Sequence, residues 1–176
     1  MIFDPLYFII IAPALILAFA AQWMVKSAYQ KMSRVGASMT GAQAARRILD
    51  ANGLYDVPIE QVPGELSDHY DPRHKVLRLS PQVYQGNSMA SVGIAAHEAG
   101  HAIQDAKHYA PLVVRNMAVP AASFGSSFGT ILLMIGLAMT FYAAGSALGS
   151  WIFLAGIVLF AATVVFQVVN LPVEFD

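Results

Sequence analysis

Apolar side chains run almost unbroken through three stretches of the chain, and a polar segment separates the first from the other two. From Pro5 to Val25 the one strongly polar residue is Gln22, and about 20 apolar residues suffice to cross a hydrocarbon core roughly 30 Å thick. The pattern predicts a transmembrane helix over residues 1–25. A cleaved signal peptide is the alternative, since Ala18-Phe19-Ala20 has the small residues of a cleavage site. A signal peptide also needs a basic leading region, and only Asp4 is charged there. Two further stretches, Phe124 to Ala144 and Trp151 to Val169, flank the small-residue segment Gly145–Ser150 and read as a transmembrane hairpin over 119–170. Gly125, Gly129 and Gly136 are small enough to let a neighbouring helix approach closely.

Residues 26–118 carry the mixed periodicities of a small α+β unit. Thr40 and Gln43 suit a capping box at the start of a helix that ends at Asn52-Gly53. After an extended region, His69–His74 reads as a turn leading into the strand Lys75–Leu79, whose alternation suits a half-exposed edge able to pair with an extended peptide. Ser80-Pro81 predicts a short helical turn, and Asn87 or Ser88 could cap a longer helix reaching about Lys107. Residues 171–176 form a last juxtamembrane segment, with Leu171-Pro172 expected to end the preceding helix.

Composition sharpens this picture. Hydrophobic residues make up 57% and charged residues 12% of the 176, an imbalance that points to a lipid bilayer. All ten Lys and Arg lie between Lys26 and Arg115. Lys26, Lys31 and Arg34 follow the first apolar stretch, Arg115 precedes the second, and the 145–150 segment has no charge, so the middle segment is expected in the cytoplasm. A net charge of −1 without basic runs excludes nucleic acid as a partner. The absence of cysteine excludes disulfides and thiol catalysis, leaving His, Asp and Glu as metal ligands.

The chemistry is concentrated at His97-Glu98-Ala99-Gly100-His101, an H-E-x-x-H pattern on the longer helix. Residues four apart on an α-helix are separated by about 40° around the axis and about 6 Å along it, so both imidazoles can meet one ion. Glu98 stands about 100° from His97, placed to reach a water in an open coordination position and act as general base. A shuffled chain of this composition would contain about 0.003 such matches, so coincidence is a poor explanation. Two histidines merely satisfied on a helix face are the bland alternative. The apolar Ser91–Ala96 turn suggests a buried helix, in which unpartnered His and Glu would be unfavourable. Catalytic zinc usually takes a third protein ligand. Asp105 and His108 follow on the same helix face but recede too far along the axis to meet the same ion. Glu174 is the candidate that topology favours: two membrane crossings return the chain to the side it left, and no other Glu follows Glu98. Its bland alternative is an ordinary juxtamembrane charge. The fold expected is mainly α, with about three transmembrane helices and a small cytoplasmic zincin-like α+β domain.

The segments Asp68–Arg73, Leu77–Pro81, His97–Gln104 and Leu171–Asp176 together resemble the YugP-like neutral zinc metallopeptidases of bacterial membranes, over essentially the whole chain. The order of elements is more distantly similar to the membrane heat-shock and CAAX prenyl metallopeptidases. The resemblance implies zinc held by His97, His101 and Glu174, a base at Glu98, peptidase activity at the cytoplasmic membrane, and further chain beyond Asp176. The function expected is a membrane-embedded zinc endopeptidase acting on protein or peptide substrates in or beside the bilayer, an activity that would suit membrane-protein quality control. A non-proteolytic zinc protein, or a hydrolase of another amide, is the alternative; a structural site closed by four ligands would have no use for Glu98. An assembly factor without metal leaves the H-E-x-x-H unexplained. His69, Tyr70, His74 and Arg115 all qualify by chemistry as oxyanion donors, and no spacing rule selects among them.

Single cysteines placed at Ser38 and Ser146 of this cysteine-free chain should react with an impermeant maleimide from opposite faces of the membrane. Labelling of both from one side would remove the predicted hairpin.

Overall fold

The computed structural model describes residues 5–142 and 147–175. Gly145 and Ser146 of the expected turn, and the terminal Asp4 and Asp176, lie outside the described residues. The chain is mostly helical: α1 (Pro5–Ser33), α2 (Gly41–Ala51), β1 (Ile59–Gln61), β2 (His69–Asp71), β3 (Val76–Leu79), α3 (Pro81–Tyr84), α4 (Met89–Ala106), α5 (Ala110–Tyr142) and α6 (Ala147–Phe175). Among the described residues, Ile9–Ser33, α5 and α6 are long and apolar enough to cross a membrane. Two compact units divide at Ile103 and Gln104, within α4.

In the first unit, α2 opens on the predicted capping box: Thr40 Oγ1 accepts from the Gln43 amide at 3.2 Å, and Gln43 Oε1 accepts from the Thr40 amide at 3.0 Å. The helix closes at Asn52, and Gly53 takes the left-handed φ of 76° that a side chain would resist. Arg46 gathers the loop beyond, donating to Asp50 at 2.8 Å, Val57 O at 2.7 Å and Leu54 O at 2.6 Å. At α4, Ser88 rather than Asn87 supplies the cap, its Oγ accepting from the Ser91 amide at 3.1 Å.

The three strands form one sheet in the order β1-β3-β2, with β3 parallel to β1 and antiparallel to β2. The expectation that Val76–Leu79 is an exposed edge is therefore corrected: β3 is the central strand. Leu77 N donates to Pro58 O and Leu79 O accepts from Val62 N, both at 2.9 Å. Val76 and Arg78 are left to face β2. Val76, Leu77 and Leu79 are all buried, because a central strand needs apolar cover where an edge strand tolerates water. The core joins Ala45 and Leu49 of α2, Tyr70, Leu77 and Leu79 of the sheet, and Ala95, Ala99 and Ala102 of α4. Small side chains along one line of α4 let the helix axis approach the sheet closely.

In the second unit, α4 ends at Ala106, two residues before His108, which adopts φ 51° in the connection to α5, and Tyr109 N donates to Gln104 O at 2.9 Å. Asp105 and His108 consequently do not continue on one helical face. Helix α5 begins at Ala110, well before Phe124, and α6 runs through Pro172 to Phe175 rather than stopping at Leu171-Pro172. Proline removes one intrahelical bond but leaves the other bonds of a helix end intact. The two helices pack at glycines: a Cβ on Gly136 would collide with the Phe153 backbone, and one on Gly156 would stand 2.7 Å from Leu133 N. Without a hydrophobic drive between helices in lipid, such close backbone approach is a main source of association.

Gly136→Ala should therefore destabilise the hairpin by about 1–3 kcal/mol as an overpacking change. Gly93→Ala, where nothing lies within 4 Å, should be neutral or stabilising by up to about 1 kcal/mol through helix propensity. Melting of the two variants in detergent checks the contrast in sign.

Candidate active site

The positions of the H-E-x-x-H residues follow from the way α4 packs. Ala95, Ala99 and Ala102 are all at most 1% exposed and define the face against the core. At 100° per residue, His97 and His101 fall on the opposite side of the helix and Glu98 between the two faces. His97 is accordingly exposed, and Glu98 and His101 are half-buried. This corrects the expectation that the whole helix is buried; its alanine face alone carries that apolar character. The two imidazole rings lie 4.6 Å apart at 75°, with ligating nitrogens within 4.8 Å of one another. Two Zn–N bonds of about 2.0–2.1 Å at a tetrahedral angle require a separation of about 3.4 Å, which small side-chain rotations reach. Two imidazole nitrogens with a carboxylate beside them suit zinc.

Glu98 has a partner that no side chain announces. Its Oε2 accepts the backbone N–H of Tyr70 at 3.1 Å. Tyr70 stands opposite Leu77 on β3, and Leu77 N is turned toward β1, so the Tyr70 polar groups point away from the ladder to the open edge of β2. A fixed amide thus orients the carboxylate next to the histidines.

The strand carrying that amide is pinned at both ends. Before it, Asp68 accepts from Ser80 N at 2.7 Å and Ser80 Oγ at 3.1 Å. After it, Asp71 accepts from Arg73 N at 3.0 Å, His74 N at 3.3 Å, His74 Nδ1 at 2.7 Å and Arg78 Nη1 at 2.5 Å. These donors, the His74 ring first and Arg78 next, hold the Asp71 carboxyl well below the usual carboxylate range despite an opposing burial effect. Lys75 completes the turn at φ 51°.

The oxyanion candidates separate by environment. The Tyr70 ring belongs to the core, and His74 is held by Asp71. His69 lies exposed on β2 with Nδ1 2.7 Å from Ser67 O. Arg115 lies in α5, its Nη1 3.5 Å from Asn116 Oδ1. A cleft of about 1010 Å³ lies elsewhere, between Val25, Tyr29 and Met32 of α1 and Met89, Ala90 and Ile94 of α4, and none of the motif residues lines it.

In the second unit, Glu174 occupies the last turn of α6 and is exposed. Asn170 Nδ2 donates to Glu174 Oε1 at 3.2 Å. Its neighbour Val173 is buried, and the Val173 carbonyl accepts from Gln104 Nε2 at 3.0 Å. Sequence reasoning assigned no role to Gln104 or to the Tyr70 amide. The 69 positions between Gln104 and Val173 explain the first omission, and a backbone donor carries no residue-specific signal.

Residues 7–176 match the model of a family described as "Putative neutral zinc metallopeptidase". A Bacillus subtilis (strain 168) protein described as "Putative membrane protease YugP" is 47% identical over 174 residues, 97% of this chain and 73% of its own length. No solved structure matches the chain.

The depressed Asp71 carboxyl links the β2–β3 turn to pH. Its stabilising contribution is complete above the unfolded value of about 3.9 and disappears as pH falls through the lower folded value. Asp71→Asn should therefore lower the melting temperature at pH 6, with the gap to the parent closing toward pH 2. A gap independent of pH would show that the carboxylate charge is not what holds the turn.

Proposed function

We propose that this chain, which belongs to the neutral zinc metallopeptidase family, is a membrane-embedded zinc endopeptidase with His97, His101 and Glu174 as ligands and Glu98 as general base. The observation that carries the proposal is the helix α4 face, where two imidazoles stand beside a carboxylate already oriented by the Tyr70 amide. When bound, zinc supplies Lewis acidity, lowering the pKa of a coordinated water from about 15.7 toward 7 and polarising a carbonyl.

The chain's own residues supply the rest. Glu98 takes a proton from the attacking water and passes it to the leaving amine as the peptide bond breaks. The Tyr70 N–H holds one oxygen of that carboxylate, reducing the rotational freedom to be lost during transfer. The edge of the sheet beside Glu98 belongs to β2, and its outward-facing amide, that of Tyr70, is held by the carboxylate of the base.

Glu174 as third ligand is supported by the two membrane-length helices, α5 and α6, that the chain follows from His101 to the last described turn of α6, where Glu174 lies. Within the second unit, Gln104 holds the residue preceding Glu174 through a hydrogen bond to the Val173 carbonyl. The basic residues at the C-terminal end of α1 (Lys26, Lys31, and Arg34 just beyond it) and in the first turns of α5 (Arg115) favour a catalytic segment facing the cytoplasm of a bacterial cell, with membrane or membrane-adjacent proteins as substrates and protein quality control as a fitting role.

Metal analysis and casein degradation on the purified full chain test this reading. Glu98→Gln should keep zinc and lose at least about 100-fold in rate. His97→Ala and His101→Ala should lose both zinc and activity. Equal zinc loss in all three variants would make Glu98 a ligand and overturn its role as base.

A further inference from the structure

We infer that Gln104 is a positioning residue for the metal site, its side-chain amide clamping the last turn of α6 so that Glu174 is presented to the ion. This rests on the proposed reading of Glu174 as a ligand. The bond from Gln104 Nε2 to Val173 O is 3.0 Å long and joins two residues that are 9% and 1% exposed. A buried amide or carbonyl left unsatisfied is unfavourable, so this contact is not one the chain gives up lightly.

The end of α6 has particular need of such a contact. Pro172 has no N–H to donate back to Val168, which removes an intrahelical bond from the last described turn of α6. That turn lacks one bond of its own ladder, and the Gln104 amide ties it to α4 through the Val173 carbonyl. Within the turn, Asn170 Nδ2 holds Glu174 Oε1 at 3.2 Å, so the carboxylate is oriented by its own helix while the helix end is held by Gln104.

Gln104 suits this role because of where α4 carries it. It lies three residues after His101, about 4.5 Å along the same helix. Helix α4 thus carries the two imidazoles and, three residues on, the side chain that holds the Val173 carbonyl. Metal sites tolerate misplacement of only about 0.5 Å, and supporting hydrogen bonds typically contribute 10- to 100-fold in affinity. Gln104 itself touches none of the reacting atoms in this scheme.

A double-mutant cycle on zinc affinity, measured by competition with a chromophoric chelator on the full chain in detergent, tests the inference. Gln104→Met keeps side-chain length and removes the donor. It should weaken zinc binding about 10-fold, Glu174→Gln should do so by a similar factor, and the double variant should be no weaker than Glu174→Gln alone. Hydrogen exchange of the 173–175 amides in metal-free protein should quicken in Gln104→Met. If Glu174→Gln leaves zinc affinity unchanged, the reading of Glu174 fails and the inference falls with it. If Glu174→Gln weakens binding but Gln104→Met does not, or the two losses multiply, the reading stands and the clamp is overturned. Should Gln104→Met fail to fold, the same cycle is run with Gln104→Asn, whose amide is one methylene short of the Val173 carbonyl, with the same criteria.

Discussion

Helix α4 has to serve a core and a chemical site at once, and the rest of the arrangement depends on how its circumference is shared. Ala95, Ala99 and Ala102 present methyl groups to the sheet, and at 0–1% exposure they leave no room for anything larger. That close approach brings Glu98, on the flank of the same helix, to 3.1 Å from the backbone of β2. A larger residue on the alanine line would push the helix outward and lengthen that bond. Core packing and orientation of the base are thus one constraint.

The turn around β2 extends the same logic. Isolated surface ion pairs contribute little, but Asp71 gathers two backbone amides, an imidazole and a guanidinium on one carboxylate that is only 17% accessible. Asp68 does the corresponding work at the other end of the strand with Ser80. The acidic residues of the Asp68–Arg73 segment therefore build the hairpin that aims the Tyr70 amide. A strand of three residues lying at a sheet edge would otherwise fray.

The second unit uses a different physics for the same end. Helices α5 and α6, long and apolar enough to cross a membrane, meet through backbone contact at Gly136 and Gly156, the kind of packing that lipid, offering no hydrophobic drive between helices, requires. At the far end of α6, where Pro172 weakens the turn, a buried side-chain amide replaces what the helix ladder lacks. Tight helix packing and the Gln104 hydrogen bond together define where the Glu174 backbone lies within its unit.

Periodicity made the helices and the spacing of the motif legible from the residues alone. Twenty or more apolar residues in a row, Thr40 with Gln43, and His97 with Glu98 and His101 each act through neighbours within one or two turns, where geometry follows directly from chain order. Helix limits were less legible, because Pro172 is a reliable stop only where nothing else satisfies the turn. The position of β3 at the centre of the sheet, the exposure of His97 and the partner of Glu98 depended on tertiary structure. Each is decided by hydrogen bonds between backbone atoms, which every residue carries alike, or by packing across tens of residues. Local sequence can specify that a histidine pair and a carboxylate share a helix; only the folded sheet decides which amide meets that carboxylate.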